Sequence, residues 1–255
     1  MTTTARDVIT DIPETVRQAG LGHVATTALL APLLLLQARR AVRRAPRLPG
    51  PSGPPHGVAG EGQPCRRLLV IGESTAAGIG AAEHARALPG FVAAELASRL
   101  GGTVDWTVRG KSGVTARRVI GELFPAGPEP FDLILLTVGI NDLFDRRTLR
   151  EWAADLLRLV ETLTGENGRT RVVVSGMPPV NRIPAIPQPL RHVVAGRARA
   201  MDQITRQVSA ACGATYVPIT LPRAGGREFF ASDGFHPSEA GYREWARALA
   251  LAMPG

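Results

Sequence analysis

A three-layer α/β/α sandwich, with helices on both faces of a parallel sheet, is the fold class this 255-residue sequence predicts. Three observations carry that expectation. Short apolar runs alternate with longer stretches of helical spacing, the signature of successive βαβ units. The first three apolar runs each lead directly into a turn built of Gly with Ser, Asn or Asp. Hydrophobic residues make up 44% and charged residues 20%, which suits one good-sized core and argues against wholesale disorder.

The elements follow in order. Residues 1–47 stand apart as an apolar and basic segment. Residues 18–38 carry no charge, and Arg39, Arg40, Arg43, Arg44 and Arg47 lie just beyond them. An uncharged run of that length forms a helix of about 30 Å, enough to span a bilayer. Arginines after the run place the rest of the chain in the cytoplasm by the positive-inside rule. Neither a positive n-region nor a small-residue cleavage site marks it as a secretory signal. The expectation is an anchor on an anionic membrane surface; the alternative is a helix packed on the domain. Residues 48–64 hold Pro49, Pro51, Pro54, Pro55 and Pro64 with several glycines, so 48–65 reads as a linker and 66–255 as the domain.

Within the domain, 68–71 reads as a buried strand and 91–100 as a helix. Then come a strand at 104–108, a helix at 116–124 and the most apolar strand at 133–138. A long amphipathic helix covers 149–163, a strand 172–175, and a proline-rich loop 176–189. Helix follows over 190–211 and a last strand over 215–219. Ser238 is placed to cap a final helix ending near 253.

Net charge is +8, and Lys111 is the sole lysine. Arginine excess without an aromatic-plus-basic motif predicts no nucleic-acid partner. Cys65 and Cys212 show neither a disulfide framework nor zinc-ligand spacing.

The turns after the strands carry the chemistry. The first strand runs into Gly72-Glu73-Ser74, putting a serine at the carboxyl edge of a parallel sheet, where such sheets bind ligands. The second runs into Gly110-Lys111-Ser112-Gly113, where Gly113 can offer a backbone N–H unobstructed by a side chain. The third runs into Gly139-Ile140-Asn141-Asp142, where the Asn141 amide can donate to a developing oxyanion. Of five histidines, only His236 has an acid, Asp233, three residues before it. A carboxylate at that distance can fix the ring tautomer and leave the other nitrogen to act as general base. Taken singly, each group has a plain structural explanation as a turn former, cap or loop glycine. Together they converge, because turns after parallel strands share one edge.

The set resembles the SGNH hydrolase superfamily, the GDSL-type esterases and lipases. Gly72-Glu73-Ser74 matches the first block, with Glu73 where aspartate is usual. Ser112-Gly113-Val114-Thr115 matches the glycine block, with Arg109 or Gly110 in place of a frequent asparagine. Gly139-Ile140-Asn141-Asp142 and Asp233–His236 match the remaining two blocks, in family order. The resemblance spans roughly 68–252. It implies a flavodoxin-like five-stranded parallel sheet of order 2-1-3-4-5. It implies Ser74 as nucleophile, His236 as base and Asp233 as its orienting acid. The N–H groups of Ser74 and Gly113 and the amide of Asn141 would form the oxyanion hole.

The function so implied is hydrolysis of a small-molecule or lipid ester through an acyl-Ser74 intermediate. That chemistry calls for no metal or organic cofactor. Transfer of the acyl group to a sugar or alcohol is one alternative, and a non-catalytic binding domain is another. Phe144, Phe229 and Phe230 flank the site in sequence and suggest an apolar acyl pocket, although core packing is the commoner fate of phenylalanine.

Overall fold

Alternation along the strands sorts the side chains into two cores, one on each side of the sheet. The computed structural model describes residues 46–124, 131–145, 147–165, 169–220 and 226–253, together with Pro32, Leu36, Gln37 and Arg40. The strands are β1 (His56–Ala59), β2 (Cys65–Gly72), β3 (Thr103–Gly110), β4 (Leu133–Thr137), β5 (Arg171–Ser175) and β6 (Thr215–Val217). The helices are α1 (Leu88–Leu100), α2 (Ala116–Leu123), α3 (Ile140–Phe144), α4 (Leu149–Thr164), α5 (Leu190–Ala211) and α6 (Glu239–Ala252).

Leu69, Ile71, Ile134, Leu136, Val172 and Val174 point to one face, under α2, α4 and α5. Their neighbours Leu68, Val70, Leu133, Leu135 and Val173 point to the other, under α1 and α6. Strands buried on both faces need continuous apolar runs rather than polar alternation. All five residues of β4 are accordingly buried, and β4 lies between β2 and β5.

The strand order is β1-β3-β2-β4-β5-β6. The five parallel strands, counted by themselves, follow 2-1-3-4-5 as expected. The sheet nevertheless has six strands rather than five. The sixth comes from the Pro/Gly-rich stretch, whose residues 56–59 pair antiparallel with β3, His56 opposite Thr107. Its prolines lie outside the paired residues, and the bare face of Gly57 lets the Trp106 indole close over it. Part of the segment read as a linker is therefore an edge strand.

Helix ends follow local chemistry. Thr148 and Glu151 form a reciprocal capping box at the start of α4. Ser238 accepts from the Gly241 N–H at the start of α6. Gly101, at φ +69°, ends α1 in a left-handed cap.

The uncharged run 18–38 lies outside the described residues except for Pro32, Leu36 and Gln37, which are helical. Among the described residues, no helix is long and apolar enough to cross a membrane. The Gln37 amide touches the domain: its Nε2 donates to Gln188 O at 2.8 Å and its Oε1 accepts from Leu190 N at 3.2 Å.

Candidate active site

Parallel pairing brings the ends of β2, β3 and β4 into line, with Gly72 opposite both Gly110 and Thr137. The turns that follow therefore open at one edge. Gly72 is required at its place: φ is +144°, and a Cβ there would collide with the Thr137 carbonyl. The Ile79 N–H donates to Ser74 O, and the Thr75 hydroxyl donates to Thr137 Oγ1 at 3.0 Å, closing the serine turn.

Ser74 is buried, and its Oγ lies 3.1 Å from His236 Nε2. His236 Nδ1 lies 2.6 Å from Asp233 Oδ2. The other Asp233 oxygen accepts from the backbone N–H groups of Phe235 and His236, at 2.9 and 3.0 Å. Burial alone would raise the Asp233 carboxyl. The hydrogen bonds from the His236 ring and the two backbone N–H groups outweigh it and hold the carboxyl below its ordinary value. Asp233 stays ionised, so Nδ1 keeps its proton and Nε2 faces Ser74 as an acceptor.

The remaining two turns interlock. Asn141 Nδ2 donates to Val114 O at 2.9 Å. Asp142, next in sequence, accepts the Ala116 N–H at 3.1 Å and so caps α2. Between them they tie the 111–115 loop to the end of β4. Gly113 in that loop is exposed, at φ +78°, with open space where a Cβ would stand. The Asp142 carboxyl is raised to about 6, chiefly by burial, against the Ala116 N–H bond that lowers it.

Glu73 is the residue whose part the sequence did not foretell. Its carboxyl is buried against the start of α3 and accepts from Asn141 Nδ2 at 2.9 Å, and from the N–H groups of Asn141 and Ile140 at 3.3 and 3.4 Å. Its departure from the usual aspartate was the available signal, since a longer arm reaches farther. Burial is the largest influence on this carboxyl, and Asp142 adds to it. Together they outweigh the backbone N–H bonds and push the carboxyl up to about 8.

A cleft beside Ser74 and His236 is walled by Ile183, Ile219, Phe229, Phe230, Phe235 and Trp245. Two of the three phenylalanines singled out from the sequence thus line it. Phe144 does not; it ends α3 with about half its surface exposed, 47%. Gly176, Pro178, Pro179 and Ile183 of the proline-rich loop form part of the wall. Phe235 and Trp245 carried no sequence signal, because an aromatic in a loop or helix reads the same whether it faces core or cleft.

Comparison with known proteins gives a consistent neighbourhood. A profile of the GDSL-like lipase/acylhydrolase family matches residues 70–244. A GDSL-like esterase of Mycobacterium tuberculosis is 32% identical over 200 residues, covering 73% of this chain and 61% of that protein. The chain thus spans about three fifths of the length of that curated relative. Among solved structures, the lipase/acylhydrolase from Enterococcus faecalis is 21% identical with a TM-score of 0.53, covering 73% of this chain and 94% of that one. A lipase from a goat rumen metagenome is 19% identical with a TM-score of 0.59, covering 74% and 98%. At such identities these two likenesses concern the fold.

Proposed function

Because the chain belongs to the GDSL-like lipase/acylhydrolase family, we propose that it hydrolyses carboxylic esters through an acyl-Ser74 intermediate. The observation that carries this reading is the hydrogen-bonded chain Ser74–His236–Asp233 at the carboxyl edge of the parallel sheet. His236 Nε2 takes the proton as Ser74 Oγ attacks the ester carbonyl. The tetrahedral oxyanion is met by the N–H groups of Ser74 and Gly113 and by the Asn141 amide. Collapse expels the alcohol, which receives the proton from His236. Water, deprotonated by the same ring, then releases the acid and restores Ser74. The apolar cleft supports an acyl group as the part of the substrate it holds.

The test is release of nitrophenol from a short p-nitrophenyl ester, with a phosphonate inhibitor to mark the nucleophile. The phosphonate is expected on Ser74. Ser74→Ala and His236→Ala are expected to lower kcat by about 10³-fold or more. Normal turnover by either folded variant would end the assignment.

For residues 1–47 we propose attachment of the enzyme to the cytoplasmic face of a membrane. The uncharged run 18–38 and the five arginines between 39 and 47 support this, the arginines suiting anionic headgroups.

A further inference from the structure

An amide nitrogen has two hydrogens, and both of those on Asn141 Nδ2 are taken. One goes to Val114 O and the other to Glu73 Oε2, each at 2.9 Å. The group assigned above to the oxyanion has no N–H to give it while Glu73 holds on. The first partner is fixed, because Val114 O belongs to the loop that α2 and Asp142 pin in place. The second is a side chain, one methylene longer than the aspartate usual at this turn. It is the partner that can yield.

We propose that Glu73 is a positioning residue whose carboxyl competes with the substrate's oxyanion for one Asn141 N–H, so that the hole gains its third donor only when Glu73 lets go. This rests on the reading of Ser74 as nucleophile and Asn141 as oxyanion donor. The strength of the hold depends on charge, since a hydrogen bond to an ionised carboxylate is about twice as strong as one to a neutral acid. A charged Glu73 would also repel the oxyanion through a dry interior. Both effects act in the same direction: ionised Glu73 keeps the hole short of a donor, and neutral Glu73 releases it.

The surroundings favour the neutral form over much of the pH range. Burial, with Asp142 on α3 adding to it, raises the carboxyl to about 8. Asp233 and His236 on the 233–237 turn and Tyr242 on α6 are titratable groups around the site, and Glu244 on α6 lines the same cleft. The Tyr242 hydroxyl is fully buried and donates to Ile79 O; burial, then Asp233 and Glu73, keep it protonated well above its ordinary range. The backbone N–H groups of Asn141 and Ile140 offset part of the cost of ionising Glu73, and burial with Asp142 outweighs them.

The test is the pH dependence of kcat and KM on a soluble ester from about pH 6 to about pH 10, for wild type, Glu73→Gln, Asn141→Ala and their double variant. Wild-type kcat is expected to fall at least about fivefold on the alkaline side, with KM moving less than about twofold, since the lost interaction is made in the transition state. Glu73→Gln, neutral and of the same length, is expected to remove that fall. In the Asn141→Ala background only the charge repulsion is left, so the fall should be clearly smaller and Glu73→Gln should gain correspondingly less there. A flat wild-type profile, a fall that survives Glu73→Gln, or a fall undiminished in Asn141→Ala would each overturn the proposal. Should Glu73→Gln not fold, wild type against Asn141→Ala decides alone. Full turnover by Ser74→Ala would instead overturn the ester-hydrolase reading, a different failure.

Discussion

At the scale of single residues, the site is a set of carboxyls set apart by their neighbours. Asp233 receives three hydrogen bonds and stays ionised; Glu73, buried beside Asp142, is pushed the other way. A folding consequence follows for Glu73. In the unfolded chain it titrates near 4.5, and in the folded protein at about 8. The folded state therefore holds this proton more tightly. Its contribution to stability is whole below 4.5 and is lost as pH rises to about 8. Glu73→Gln cannot ionise. Its unfolding free energy should match wild type near pH 4.5 and exceed it at about pH 8 to 9, by an amount of order a few kcal/mol. Thermal unfolding across that range checks this. A gap that does not widen with pH would mean that Glu73 ionises freely in the fold.

At the scale of elements, two loops make the cleft and one strand end carries Ser74, the proposed nucleophile. The 176–189 loop leaves β5 at the sheet edge that holds Ser74, and its backbone is held from beneath. Asp202 on α5 accepts the Met177 N–H at 2.8 Å through one oxygen and the Tyr216 hydroxyl at 2.8 Å through the other. From the other side, the turn around Phe229 and Phe230 is locked to α6 through the Ser238 N–H, which donates to Phe229 O at 3.0 Å. A wall fastened at both ends selects by shape. Phe229→Ala removes a half-buried ring that adds apolar contact to a bound acyl chain, where each methylene is worth about 0.8 kcal/mol. The ratio of kcat/KM between a long-chain and a short-chain ester should then change by about tenfold, with phosphonate labelling of Ser74 unaltered. An equal loss for every chain length would assign Phe229 to the fold alone.

At the scale of the whole molecule, the edge of the sheet matters as much as its centre. β1 covers the outer side of β3, and Pro55 O accepts the Val108 N–H at 2.7 Å just beyond the paired residues. A chain cut at residue 66 would leave β3 as a bare edge, open to pairing with other molecules. Residues 46–255 should therefore stay monomeric and hydrolyse a soluble ester like the full chain. Residues 66–255 should melt at least about 5 °C lower or aggregate. Light scattering and thermal unfolding of the two fragments decide this; equal behaviour would make β1 dispensable. The same series tests the tether. Full-length protein should pellet with anionic vesicles in a salt-sensitive way, and residues 46–255 should remain in the supernatant.

Much of this was written in short-range pattern. Residues 133–136 are an unbroken apolar run, and a strand buried on both faces needs nothing more to be recognised. Ser238 marks the start of the last helix by its own side chain. The four blocks around Ser74, Gly113, Asn141 and His236 named the family because each is contiguous and their order is linear. Such features depend on neighbours along the chain, so the sequence by itself determined the fold class and the family, and the order of the parallel strands followed only from the family resemblance. The tertiary structure decided what depends on neighbours in space. His56–Ala59 looked like linker because proline and glycine surround it, and only the free edge of β3 and the Trp106 indole make it a strand. Phe144 and Phe229 are the same residue type near the same site, yet only one faces the cleft. Glu73 and Asn141 stand 68 positions apart, and no local pattern measures whether one extra methylene lets a carboxyl reach an amide. That distance is set by how β2 and β4 pair and where their turns end, which is a property of the packed molecule.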